Sequence, residues 1–186
     1  MILKYILLAL SASIDALSLG ITYGIKKTKM SKTANIIIFM IVLCCSTIDI
    51  LVGHFLSLLF SPMLSILLGS SLLILLGLYN IYKGIKNPNI FVNFDVDNSN
   101  YIDTKEATLL SLAVAVDASC VSMGAGIIGY ISFILPIFMA IFHTFFVNCG
   151  NFVAKSAVER LSIPSNILSI FSGILLVLIG IFIILF

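Results

Sequence analysis

The sequence predicts an all-α integral membrane protein, with six transmembrane helices arranged as two inverted three-helix repeats. Three observations predict it. The chain is 186 residues long, 61% hydrophobic and only 10% charged, with a mean hydropathy of +1.23, whereas a soluble domain is about half apolar and about one-quarter charged. The apolar residues gather into six runs, each long enough to cross a hydrocarbon layer that takes about 20 residues as helix. The pattern around Asp15 also returns 102 residues later around Asp117. This composition excludes a soluble globular enzyme, a disordered chain and a nucleic-acid binder.

The first run, 5–25, follows a lone Lys4. That start resembles a secretory leader, but the run is too long for one and carries Asp15 midway, so it reads as a retained span. The second run is 33–54 and the third 63–85. A polar loop at 87–106 separates them from runs at 107–128, 132–154 and 164–186. The single membrane domain, 1–186, therefore divides into a first repeat at 1–86, the loop, and a second repeat at 107–186. At about 1.5 Å per residue, each span covers about 30 Å or slightly more. Pro136 either kinks the fifth helix or lies just inside its start. Tyr5, Tyr79 and Tyr82 read as interfacial aromatics, and His54 as a residue of the outer interface.

The loops alternate in charge. Lys26, Lys27, Lys29 and Lys32 follow the first run; Lys83, Lys86 and Lys105 flank the third loop; Lys155 and Arg160 lie in the fifth. The second and fourth loops hold no Lys or Arg. Nine of the ten basic residues thus fall on one side, which the positive-inside rule makes cytoplasmic. Both termini then face outward from a bacterial cell membrane, with loops one, three and five inside. The four cysteines, Cys44, Cys45, Cys120 and Cys149, all lie within spans and form no C-x-x-C pair, so they read as small buried hydrophobes. No nucleotide-binding glycine loop occurs, and nothing points to an enzyme or a prosthetic group.

At an offset of 102, Leu10, Asp15, Ala16, Gly24 and Ile25 recur as Leu112, Asp117, Ala118, Gly126 and Ile127. Gly77 with Gly180 and Asp49 with Asn148 fall at 103 and 99. Three helices per half is an odd number, so the second half enters from the opposite face, an organisation typical of secondary transporters. Gly20-x-x-x-Gly24 and Ser122-x-x-x-Gly126 let helix backbones approach closely, and the first and fourth helices are expected to pack on one another through them.

Asp15, Asp49 and Asp117 lie inside apolar runs, where each costs roughly 2.5–3.5 kcal/mol on insertion scales. Helical spacing collects further polar groups beside them: Ser11, Ser18 and Thr22 with Asp15; Cys120 and Gly124 with Asp117; Cys45 and Gly53 with Asp49. Thr144, Asn148 and Asn151 share a face of the fifth helix. The expectation is an oxygen-rich midplane site with Asp15 and Asp117 at its core, assisted by Asp49, Asn148 and Asn151, suited to a hard or borderline divalent cation. Cys120 and Met123 would add a softer contact. Two close carboxylates disfavour double ionisation, so an empty site would hold a proton and exchange it for metal. The bland alternative makes these aspartates protonated interhelical hydrogen-bonding residues. His143 is read as a packing residue before a nitrogen ligand.

The third loop carries Asp95, Asp97, Ser99, Tyr101, Asp103 and Glu106 at positions 1, 3, 5, 7, 9 and 12 of a calcium-loop pattern, with Asn100 where glycine is usual. Ca²⁺ or Mn²⁺ would be its ligand. The competing reading makes Asp103 and Glu106 a capping box for the fourth helix.

Ser13-Ile14-Asp15-Ala16-Leu17-Ser18, Gly20-Ile21-Thr22-Tyr23-Gly24-Ile25-Lys26-Lys27, the loop Asp95–Glu106 and Ala115-Val116-Asp117-Ala118 resemble the MntP-like manganese efflux pump family, and within it the YtaF branch of sporulation membrane proteins. The resemblance covers nearly the whole chain. It implies six helices in two repeats, Mn²⁺ as exported substrate, and functionally required aspartates at positions 15 and 117. Manganese members carry an acid where this chain has Ser46. The partners expected are a divalent cation, protons and the lipid bilayer; a homo-oligomer is compatible. The competing class is a non-transporting sporulation factor with a cation-binding loop.

Overall fold

A computed structural model describes residues 2–25, 29–86, 101–130, 132–156 and 165–185; within these, several side chains, including those of Ser18, Thr22 and Asp117, fall outside the description. Six helices form: α1 (Ile2–Ile25), α2 (Lys32–Ser57), α3 (Pro62–Lys86), α4 (Thr104–Ile128), α5 (Ile134–Ser156) and α6 (Ser165–Leu185). Five contain windows long and apolar enough to cross a bilayer, and α6 adds a sixth, shorter apolar stretch at Ile170–Leu185. The chain is an integral membrane protein. Large apolar side chains such as Ile36, Met40, Leu75, Phe145 and Phe152 point outward, where lipid tails solvate them as well as a protein core would.

The helix ends are set by local chemistry. Ser31, in extended conformation, caps α2 and accepts from the amide of Ala34 at 2.8 Å. Pro62 opens α3, where a missing N–H costs nothing. The amide of Asp103 donates to Glu106 Oε2 at 3.2 Å, one arm of a capping box that starts α4. That helix ends on Gly129 at φ 97°, a left-handed residue that only glycine adopts freely. Pro136 falls in the first turn of α5 rather than at a mid-helix kink.

Between the helices, β1 (Lys29–Met30) and β2 (Tyr101–Ile102) pair in parallel, Lys29 with Tyr101 and Met30 with Ile102. The segments that launch α2 and α4 are therefore stitched together, and loops one and three open at the same end of the bundle. At the other end, Tyr130 after α4 meets the ring of Tyr5 edge-on at 5.7 Å, with Lys4 Nζ 5.9 Å from its centroid.

Each helix of one half embraces a helix of the other: α1 lies against α5, α2 against α4, and α3 against α6. Here the expected α1–α4 glycine contact is corrected. A Cβ on Gly20 would strike the Val147 carbonyl, and one on Gly24 would sit 2.6 Å from the Asn151 carbonyl; both partners are on α5. Gly126 meets the Ile50 carbonyl of α2 at 2.5 Å by the same construction. The reason is reciprocal smallness: α5 offers Gly150 and Ala154, and α2 offers Gly53, so both backbones can close in. α1 and α5 run in the same direction, since Ser13 bonds His143 while Gly24 meets Ala154. α3 and α6 run oppositely, with Gly77 against Gly173 and Ser70 against Gly180. The cysteines form no disulfide; Cys44 is exposed on the lipid-facing side of α2 and Cys45, Cys120 and Cys149 are half-buried, which corrects their reading as buried residues.

Candidate functional site

The carboxylate of Asp15 lies near the middle of α1 and is gripped from two other helices. Asn80 Nδ2, on α3, donates to Oδ2 at 2.8 Å. Ser172 Oγ, on α6, donates to Oδ1 at 2.7 Å. Asn80 is 2% exposed and Ser172 fully buried, while Asp15 itself is half-buried. The grip follows from the α3–α6 glycine contact. A side chain on Gly77 would come within 2.6 Å of the Gly173 carbonyl, and one on Gly173 within 2.5 Å of the Gly77 carbonyl. Without side chains there, Asn80 one turn along α3 and Ser172 beside Gly173 both reach the carboxylate.

These two donors are neutral, and among the described residues every Lys lies in a short strand or near a helix end. A mid-span carboxylate costs roughly 2.5–3.5 kcal/mol, and each hydrogen bond to a charged group offsets about 1.5–3 kcal/mol. The two bonds therefore make a charged Asp15 tolerable without a fixed cationic side chain.

The remaining predicted residues are distributed as follows. Asp117 sits in the middle of α4, and its side chain lies outside the described residues. Asp49 is half-buried on α2; its Oδ2 is sealed from solvent with no hydrogen-bond partner, as is Ser46 Oγ one turn earlier on the same helix. Ser70 Oγ on α3 is the third such atom among the described residues. Asn148 makes a reciprocal amide pair with Asn35 in the first turn of α2, at 3.0 and 3.1 Å, and also donates to the Thr144 carbonyl at 2.7 Å. Asn151 is buried on α5 against Gly24 of α1. Asp15, Asp49 and Asn148 thus occupy separate polar groups.

His143 is 1% exposed on α5. Its Nδ1 lies 2.9 Å from the Met139 carbonyl and 2.6 Å from Ser13 Oγ. A carbonyl only accepts, so Nδ1 carries the proton, and the Ser13 hydroxyl passes its own to the Ala9 carbonyl at 2.6 Å. The histidine is thus buried on the α1–α5 seam and tied through Nδ1 to both helices. In the calcium-loop pattern, Asp95, Asp97 and Ser99 lie outside the described residues. Tyr101 is in β2 and Glu106 serves the cap of α4. Among the described residues, no three His, Cys, Asp or Glu side chains converge as a metal-binding group.

Asn80 and Ser172 were not singled out from the sequence. The available signal was Asn80 on one α3 face with Gly77 and Gly84, all three buried, a polar residue placed on a helix-contact stripe.

A bundle of long apolar helices with a carboxylate near the middle of one of them defines the class of helical integral membrane proteins. Within that class, the chain belongs to the MntP family, whose model bears the description "Putative manganese efflux pump" and matches residues 1–81 and 50–184. The chain is also 28% identical over 205 aligned residues to the "Probable sporulation protein YtaF" of Bacillus subtilis (strain 168), covering 91% of this chain and 96% of that protein. No solved structure matches it.

Proposed function

We propose that the protein is a secondary transporter that exports a divalent cation, Mn²⁺ foremost, in exchange for protons. The observation that carries this reading is Asp15, an acid near the middle of an apolar helix that Asn80 and Ser172 reach from two other helices. Family membership supplies the substrate and the outward direction. Asp117, at the corresponding place in α4, supplies the second carboxylate. Asp49 and Ser46 line the route on α2, their unpartnered oxygens available to a passing hydrated ion. Asn148 and Asn151 act from the α5 side by holding the helices that frame the site. Loop three, with its calcium-loop pattern, is a second ion contact at the cytoplasmic mouth.

The two halves are inverted repeats. Support comes from the way contacts exchange between halves. Gly77–Gly173 and Ser70–Gly180 interchange under the offset of 103 that relates α3 to α6, and α1 with α5 mirrors α4 with α2. On this matching Gly24, over Asn151, corresponds to Gly126, over Ile50, so Asp49 aligns with Gly150 rather than with Asn148. Alternating access is then a rocking of one half against the other about the acids. In the empty state the two carboxylates share a proton; the cation displaces it, and release on the other side lets a proton return. Loops one, three and five face the cytoplasm and both termini face out.

The reading is tested in a manganese-sensitive bacterial host deleted for its own exporter. The wild-type chain lowers cell manganese and restores growth in excess Mn²⁺, and Asp15→Asn does neither at equal membrane abundance. Unchanged cell metal on expressing the wild-type chain contradicts the reading and favours a non-transporting factor.

A further inference from the structure

Granted the transporter reading, on which this rests, we infer that Asn80 and Ser172 are themselves ligands of the transported cation, and that with Asp15 they form a three-helix oxygen site joining α1, α3 and α6. Both groups are bifunctional. An amide carries a donor nitrogen and an acceptor oxygen on one carbon, and half a turn about its last bond exchanges them in place; a hydroxyl donates or accepts by rotating its hydrogen. With no cation bound, Asn80 Nδ2 and Ser172 Oγ donate to the two carboxylate oxygens at 2.8 and 2.7 Å. With a cation bound, Asn80 Oδ1 and Ser172 Oγ turn their lone pairs to the metal beside Asp15. The Asp15 carboxylate, an amide oxygen, a hydroxyl and retained water are all hard oxygen donors of the kind a divalent ion takes.

Three features single out these two residues. Asn80 and Ser172 are deeply buried, at 2% and 0% exposure, yet each commits its polar head to the acid. Asn80 reaches the acid through Nδ2, so half a turn of the amide brings Oδ1 to the same place. Their helices meet through Gly77 and Gly173, and a Cβ at either position would push the backbones apart and withdraw both groups from Asp15. Ser172 also comes from the opposite half of the chain from Asp15 and Asn80. The site is complete only while α6 lies against α1, and a shift of α6 removes one ligand, which is what ion release requires.

Replacing oxygen by sulfur reads ligation directly, since a soft donor favours Cd²⁺ over Mn²⁺, whereas a residue that only packs leaves the preference where it was. Full-length wild type, Ser172→Cys and Asn80→Cys are reconstituted in liposomes, each with Cys44, Cys45, Cys120 and Cys149 replaced, and initial uptake of Mn²⁺ and Cd²⁺ is measured. The expected result is a rise of about tenfold in the Cd²⁺-to-Mn²⁺ ratio for each variant. Ser172→Cys changes one atom in a buried site, and if either variant fails to insert, the other decides. An unchanged ratio in a variant that still transports overturns the inference while leaving the transporter reading intact. Loss of all transport by a variant that still binds Mn²⁺ with wild-type affinity in nanodiscs also overturns it. Absence of uptake by the wild-type background overturns the transporter reading instead.

Discussion

At residue scale, the informative contrast is between Asp15 and Asn148. Both are polar residues in apolar runs, and the sequence marks both as candidates. The structure gives Asp15 two donors from helices far away in the chain, whereas Asn148 finds another amide, Asn35, and completes a reciprocal pair with it. A self-satisfied amide pair is an interhelical clasp, worth about 0.5–1.5 kcal/mol in a membrane. Asn148→Ala should therefore lower the thermal midpoint in detergent by a few degrees and leave the apparent affinity for Mn²⁺ unchanged; a raised KM with unaltered stability would return Asn148 to the ion site. Asp15 was legible from sequence because an acid in the middle of an apolar helix has few bland explanations. Asn80 was not, because its neighbours Tyr79 and Lys83 give that stretch the look of a membrane edge. Only the buried stripe it shares with Gly77 and Gly84 separates it from that edge.

At the scale of elements, the six helices were legible because a run of about 20 apolar residues has one stable form in lipid. Their starts extend past the apolar runs, to Lys32 and Thr104, because Ser31 and Asp103 fix the first turn regardless of hydropathy. The parallel strand pair of Lys29–Met30 with Tyr101–Ile102 left no local trace: two residues carry no periodicity, and their partners lie some seventy positions apart. The small-residue motifs announced that backbones approach one another but not which ones. Gly126 illustrates the outcome, facing Ile50 of α2 rather than α1. Filling that space with Gly126→Val should force α2 and α4 apart, at the roughly 1–3 kcal/mol typical of overpacking. The check is the folded fraction after solubilisation and heating, and a variant as heat-resistant as wild type would show that the contact is not tight.

For the whole molecule, the charge distribution and the helix order make one statement about orientation. The paired strands put loops one and three at a common end, the end that carries most of the lysines. In a background free of native cysteine, Lys27→Cys should resist a membrane-impermeant maleimide in intact cells, while Ser61→Cys and Ser132→Cys react. The reverse pattern would place both termini inside and undo the positive-inside argument. The same arrangement gives the transport account its shape: α1–α5 and α4–α2 form two similar helix pairs, α3–α6 bridges them, and Asp15 is held where the bridge meets α1.

The most direct test of that account is flux through the purified protein in liposomes under an imposed proton gradient. Wild type should accumulate Mn²⁺ and dissipate the gradient in step, and Asp15→Asn should do neither above the level of protein-free vesicles. Mn²⁺ movement by Asp15→Asn at the wild-type rate would contradict the role given to this carboxylate.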